Sequence, residues 1–425
     1  MREPTFDGHQ VLMRLRELPG GRELIDLARG RTDIALVGGA VRDLMLGRTP
    51  RELDVVVERA SSPGPAALLL ARELAARLPC PTKIDEHERF GTALLAWDGA
   101  RVDVAGARQE RYPAPGALPE VQPAGLDEDL LRRDFTVNAI AVTLGSTRPG
   151  EVRAPLGALE DLRAGRLRVL HDASFIDDPT RLLRLARYAA RLGFQIEPHT
   201  SELASRALIA GALETISGAR IGAELRLALS EPDAIAALAE IDKLGLLSAL
   251  HSRLRFDRGC IERSLALLPD DGRPGLLTMA ALTLPLTLRA DDARTETVAL
   301  LDRLEFIAPD RDRIVAAATA VARLTEALPA AVRPSRLRAA VEGIPPEGIA
   351  LAGGVSRSSA GPARRWLTEL RNIDLSITGE DLLAAGVAQG PEVGHRLDAA
   401  LDRKLDGDLA DGRDAELAAA LEARV

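Results

Sequence analysis

Cysteine, aromatic side chains and long apolar runs are all scarce in this chain, and each scarcity removes a class of protein. Only Cys80 and Cys260 occur among 425 residues, far apart and without a CxxC, so neither a disulfide framework nor a zinc site is indicated. Aromatic residues make up 3%, which leaves Leu, Ala, Val and Ile to build the core and favours helices over a β-sandwich. No apolar run approaches transmembrane length, and the opening MREPTFDGHQVLMRLREL lacks a signal-like apolar core. A reducing cytoplasm is the expected compartment. An excess of basic charge is missing too. The formal net charge of −8 argues against a protein that coats nucleic acid non-specifically, while leaving room for a local basic groove.

The chain is long enough for two to four domains and a substantial core, and its 46% hydrophobic and 28% charged content is ordinary for a soluble globular protein. Residues 1–150 read as α/β. Ile34 to Val37 and Leu53 to Val57 are strand-like, and Thr92 to Ala107 reads as two strands joined by an Asp98-Gly99 turn. The following RYPAPGALPEVQPAGLDEDL is rich enough in Pro and Gly to break any regular element. From about Leu156 the apolar spacing becomes helical, with breaks at Pro269 to Gly275, Ala308-Pro309 and Ile344 to Gly348. The architecture expected is an α/β head followed by an all-α remainder.

Four clusters carry the chemistry. In LVGGAVRDLMLGRTPRELDVVVE, the pair Gly38-Gly39 joins a strand to a helix carrying Arg42, a turn that lets backbone N–H groups approach a phosphate. The same pair is equally a plain strand-to-helix turn. Glu52 and Asp54, at spacing two, are expected on one strand face, with Asp103 on the neighbouring hairpin strand. Three carboxylates from adjacent strands suit two Mg²⁺ ions roughly 4 Å apart; singly, each is also a strand-edge acid facing water. Arg132-Arg133-Asp134, with Asn138 following, suits a triphosphate clamp as well as a solvated charge cluster. In DDPTRLLRLAR, Asp178 lies near a helix N-cap and Arg181, Arg184 and Arg187 recur every third residue. They either face a base edge or form the solvated side of an amphipathic helix.

Taken together, LVGGAVRDLMLG, ELDVVV, DLLRRDFTVNAIA, DDPTRLLRLARYAARLGF, ISGARIGAEL and ITGEDLLAAGVAQGPEVG resemble the class II tRNA nucleotidyltransferase and bacterial poly(A) polymerase family, in that family's order. The resemblance implies a nucleotidyltransferase head over 1–150, a neck over 151–230, a helical body over 231–335 and a helical, tRNA-binding tail over 336–425. It implies that Gly38, Gly39 and Arg42 contact a nucleotide triphosphate, that Glu52 and Asp54 stand at the pair that binds Mg²⁺, and that Asp103 is the third catalytic carboxylate. Arg132, Arg133, Asp134 and Asn138 would grip ribose and phosphate. Asp178 and Arg181 would read the incoming base, with Arg184 and Arg187 beside them and Arg220 and Glu224 steadying that helix. The implied partners are the tRNA acceptor and T arms, CTP and ATP.

Three positions depart from the family pattern: Glu52 where it has Asp, Asp177 where it has Glu, and Arg153-Ala154-Pro155 where it often has an Asp-Pro hinge. Glu52 raises a further reading, a catalytically weakened tRNA-binding protein, since Mg²⁺ tolerates altered geometry poorly. The short Pro-rich loop after Asp103 resembles that of members adding only two C residues, which places CC addition slightly ahead of full CCA addition. A poly(A) polymerase fits less well, because the long basic tail expected there is missing. His171-Asp172 matches the core of a phosphohydrolase motif but lacks the surrounding His and Asp ligands, and is read as incidental.

Overall fold

The computed structural model describes residues 6–58, 66–79, 82–88, 91–145, 148–287 and 293–423; Cys80 lies outside them. The chain forms two compact units, Met1–Ser217 and Gly218–Val425, dividing within the segment read from sequence as a neck.

The first unit is built on a mixed seven-stranded sheet in the order β3-β4-β5-β2-β1-β8-β9. The strands are β1 (Ile34–Val37), β2 (Leu53–Val57), β3 (Lys83–His87), β4 (Thr92–Trp97), β5 (Ala100–Gly106), β8 (Ala141–Thr143) and β9 (Val152–Arg153), with β6 (Arg108–Arg111) and β7 (Glu120–Pro123) in a separate ribbon. β1 is IALV, buried throughout, and β2 is LDVVV, in which Asp54 is the one polar residue; β-branched runs of this length suit central strands. β2 pairs antiparallel with β1 and parallel with β5, which sets Asp54 directly beside Asp103. The β4–β5 hairpin turns at Asp98 and Gly99, whose φ angles of 43° and 75° are those of a two-residue primed turn, as the Asp-Gly pair requires.

One expectation needs correcting. The segment after β5 is not without regular structure: β6 and β7 pair antiparallel from Arg108↔Pro123 to Arg111↔Glu120. RQER and EVQP carry no apolar alternation, so no pattern announced them. Across the ribbon Gln109 Nε2 donates to Gln122 Oε1 at 3.2 Å, and further side-chain bonds fasten β6 to the chain around it. Glu110 accepts from Arg108 at 3.2 Å, from Arg132 at 2.9 Å and from Tyr112 at 3.1 Å. At the tip, Gly116 N–H donates to the Ile176 carbonyl at 3.0 Å, and a Cβ there would fall 2.1 Å from Thr215 Oγ1, so only glycine fits.

All elements of the second unit among the described residues are helices, the longest being Ala308–Ala330. Helices restart at Pro274, Ala308 and Pro346, at or beside each break read from the sequence, because Pro is accommodated in a first turn. Leu277, Leu324, Leu328, Ile349 and Leu367 centre its main core. Helices Gly379–Ala384, Pro391–Leu405 and Arg413–Glu422 close over a smaller one of Ile377, Leu382, Ala400, Ala419 and Ala420. No helix among the described residues is long and apolar enough to cross a membrane.

Candidate active site

The carboxylates converge. One oxygen from each of Glu52, Asp54 and Asp103 lies within 4.8 Å of the others, and all three residues are half-buried. Asp54 and Asp103 meet because their strands are paired in register. Glu52 does not sit on the strand as expected; it occupies the bend before β2, and its longer side chain brings its carboxylate to the cluster. Burial, reinforced by the charge of Glu52, pushes the Asp54 carboxyl up to about 7, against a smaller lowering by Arg133. A buried carboxylate strained in this way is relieved by a cation, and three hard oxygen donors are the set that Mg²⁺ takes. The residues therefore fit a divalent ion.

The glycine turn abuts this cluster. Gly38 opens the Gly38–Met45 helix with φ of 69°, and its N–H donates to the Ile140 carbonyl at 3.0 Å. A Cβ on Gly38 would lie 2.6 Å from Arg133 Nη1 and 3.5 Å from Asp54 Oδ2. Glycine here is what permits the Arg133 guanidinium to approach the carboxylates. Gly39 lies one residue into the helix, and a Cβ on it would stand 3.5 Å from Arg42 Nη2.

The arginine pair is anchored by a residue that sequence reasoning passed over. Asp129, fully buried, accepts from Arg132 Nε and Nη2 at 2.9 and 2.8 Å through Oδ1 and from Arg133 Nη2 at 2.9 Å through Oδ2. Burial would raise its pKa, but Arg133 and Arg132 outweigh that and hold it below the ordinary carboxylate value. Its signal was available: it stands three and four residues before the two arginines, the spacing of helical ion pairs. Arg133 Nε is buried with no hydrogen-bond partner among the described residues.

Asp134 and Asn138 join a buried network. Asp134 Oδ1 accepts from Asn138 Nδ2 at 2.9 Å, and Oδ2 accepts from Arg184 Nε and Nη2 at 2.9 and 2.6 Å. Burial alone would raise Asp134, but Arg184, Asn138 and Arg181 override it and hold the carboxyl at about 2. Asn138 Oδ1 accepts in turn from Arg42, whose Nε donates to Asp43 Oδ1 at 2.8 Å. Tyr188, unremarked in the sequence, is surrounded by the guanidinium carbons of Arg187, Arg42 and Arg184 at 4.9, 5.4 and 5.9 Å from its ring centre.

The Thr180–Leu192 helix does not present a solvated arginine side. Arg181 and Arg187 are 4% and 6% exposed, and Arg184 is half-buried. Arg181 donates to Ser174 Oγ and to the Arg132 carbonyl, both at 2.7 Å, tying the helix to the clamp, and its Nε lies 4.0 Å from Asp178 Oδ2. Asp178, just before the helix, accepts from Thr180 N and Oγ1 at 3.1 and 2.6 Å. Tyr112, also missed, stands near this pair, and burial together with the charge of Glu110 pushes its hydroxyl up to about 12. Arg220 and Glu224 lie on Gly218–Leu229, the first helix of the second unit, and the first unit holds every other candidate site residue. His171 and Asp172 have partners of an ordinary kind: Asp172 pairs with His199 at 2.9 Å, and His171 lies 4.0 Å from Asp177.

The chain is similar to several known proteins. A family model described as the poly A polymerase head domain matches residues 34–168. The chain is 33% identical to the A-adding tRNA nucleotidyltransferase of Geobacter sulfurreducens, covering 96% of this chain and 49% of that one. It is 34% identical to the CC-adding tRNA nucleotidyltransferase of Deinococcus radiodurans, covering 92% of this chain and 91% of that one. The chain spans between 27% and 55% of the length of the A-adding relatives it matches. Among solved structures, the Thermotoga maritima CCA-adding enzyme complexed with tRNA-CCA superposes with a TM-score of 0.76 at 28% identity, covering 98% of this chain and 99% of that one. With a relative 34% identical and matched over 91% of its length, the chain belongs to the tRNA nucleotidyltransferase family.

Proposed function

We propose that this chain transfers CMP from CTP to the 3′ end of tRNA, releasing pyrophosphate and building the CC of the CCA terminus. The observation that carries the reading is the convergence of Glu52, Asp54 and Asp103 beside the Gly38 turn and Arg133. Bound there, Mg²⁺ would neutralise the triad and polarise phosphate oxygens. Arg133, with its unpartnered Nε, and the backbone of the Gly38–Met45 helix N-terminus hold the triphosphate against the carboxylates. Arg132, locked to Asp129 and Glu110, fixes the clamp, and Arg181 links it to the helix on which Asp178 and Arg181 select the base. Because Arg181 already donates to Ser174 and Arg132, base selection through it requires the remaining Nε edge next to Asp178.

CC addition is favoured by the compact ribbon after β5 and by the near-complete mutual coverage with the CC-adding relative. Full CCA addition is the competing reading, since a CCA-adding structure covers the chain equally well, and ATP would then be a second substrate. In this reading residues 1–150 are the head, 151–230 the neck with Arg220 and Glu224, and 231–335 and 336–425 the body and tail that hold the acceptor and T arms. The compartment proposed is the cytoplasm, where tRNA is matured. A merely tRNA-binding role loses its motive, because Glu52 reaches the cluster despite its departure from Asp. Purified protein is incubated with tRNA lacking its 3′ CCA and with labelled CTP or ATP. Incorporation of C without A supports CC addition, C followed by A supports CCA addition, and no incorporation with Mg²⁺ or Mn²⁺ sinks both.

A further inference from the structure

Arg101 belongs to none of the motifs above, yet its guanidinium lies against two of the three carboxylates. Its Nε is 3.2 Å from Glu52 Oε2 and donates to Asp103 Oδ2 at 3.1 Å, while Nη2 donates to the same Asp103 oxygen at 2.9 Å. The placement follows from the strand. Arg101 precedes Asp103 by two residues on β5 and so projects from the same face, next to β2. It follows also from Glu52, whose extra methylene carries its carboxylate out from the bend before β2 to meet the guanidinium. The Arg101 side chain is 48% exposed and enters the cluster from its solvent edge.

A guanidinium cannot lose its proton to make way for another cation; it can only swing aside. A divalent ion that takes all three carboxylates must therefore compete with Arg101 for Glu52 and Asp103. We propose that Arg101 is a positioning residue for the triad, an exchangeable counter-cation that holds Glu52 and Asp103 together in the ion-free protein and yields them when the ion binds. It sets the ion affinity of the site downward and the stability of the ion-free state upward. This rests on the triad taking a divalent ion. Two exposed ion pairs of this kind weaken ion binding by about ten-fold, an effect lost when the charge is removed.

The test is calorimetric titration of Mn²⁺ into the full-length protein as wild type, Arg101→Gln, Arg101→Lys and Asp54→Asn, together with thermal unfolding of each with and without Mn²⁺. Arg101→Gln is expected to bind Mn²⁺ about ten-fold more tightly than wild type. It should also melt at a lower temperature without the ion, and this difference should vanish at saturating Mn²⁺, since binding and stability are linked. Arg101→Lys, which keeps the charge, should lie near wild type in both measurements. Unchanged or weaker Mn²⁺ binding by Arg101→Gln overturns the proposal, as does an equal shift in Arg101→Lys. The metal reading itself fails separately, if wild type gives no Mn²⁺ isotherm or if Asp54→Asn leaves that isotherm unaltered.

Discussion

Asp54→Asn separates the electrostatic cost of the triad from its chemistry. In the folded, ion-free protein the Asp54 carboxyl keeps its proton up to about pH 7, whereas an unfolded chain loses it near the ordinary value of 3.8. Between those values the folded state binds more protons than the unfolded state, so stability falls as the pH rises through the window and is level above it. The two pKa values set an upper bound of about 4 kcal/mol across the window, of which about 2–3 kcal/mol falls between pH 5 and 8. Half-exposure of the neighbouring Glu52 trims this further. The assay is urea unfolding at pH 5, 6, 7 and 8 in the presence of a chelator, for wild type and for Asp54→Asn. Subtracting the two cancels the titrating groups remote from the cluster. Asp54→Asn is expected to gain on wild type by up to about 2–3 kcal/mol from pH 5 to pH 8. Saturating Mg²⁺ should erase that gain by stabilising wild type, while nucleotide transfer by Asp54→Asn stays lost at every pH. Parallel pH curves for the two proteins would refute the reasoning, because a carboxylate not held protonated by burial contributes no such slope.

Gly38→Ala places a Cβ 2.6 Å from Arg133 Nη1 at a φ of 69°. It should cost about 1–2 kcal/mol of stability in thermal unfolding and weaken nucleotide binding by displacing Arg133; tolerance on both counts would show that the close approach is not required. Asp134→Asn replaces the carboxylate that pairs with Arg184 by a neutral amide with one acceptor oxygen and should destabilise the first unit by about 3 kcal/mol, with a loss under about 0.5 kcal/mol counting against the network. Glu52→Asp shortens the ligand by about 1.5 Å and gives up the 3.2 Å contact with Arg101. Transfer assays should find wild type plainly active and this variant within about ten-fold of it. A large gain from a near-inactive wild type would instead revive the binding-only reading.

How far the sequence reached is clearest at particular residues. The β4–β5 hairpin was legible because Asp98-Gly99 is one of few dipeptides that adopt positive φ at both positions. Asp54 and Asp103 were legible as partners because apolar strands with single acids leave those acids nowhere cheap to go. Local physics suffices in both cases. The β6–β7 ribbon was not legible, because its strands carry no apolar pattern and its side-chain ties, Gln109 to Gln122 and Glu110 to Arg132, join residues 13 and 22 positions apart. Nor could spacing show that the arginines of the Thr180–Leu192 helix face inward. Three arginines at every third residue read the same whether water or Tyr188, Asp134 and Ser174 surround them.

By itself, then, the sequence determined the α/β head, the predominantly helical remainder and the order of the motifs. Each of these depends on periodicity, turn chemistry or residue type, which act over a few positions. Only the tertiary structure decided what surrounds the carboxylates. The parallel register of β2 and β5 brings Asp54 beside Asp103, and the bend before β2 lets Glu52 reach them. The same register carries Arg101 into the cluster, and Gly38 admits Arg133. Charge interactions fall off over a few ångströms, so the pKa of Asp54 and the competition for its neighbours are properties of that packing, not of any stretch of residues read in order.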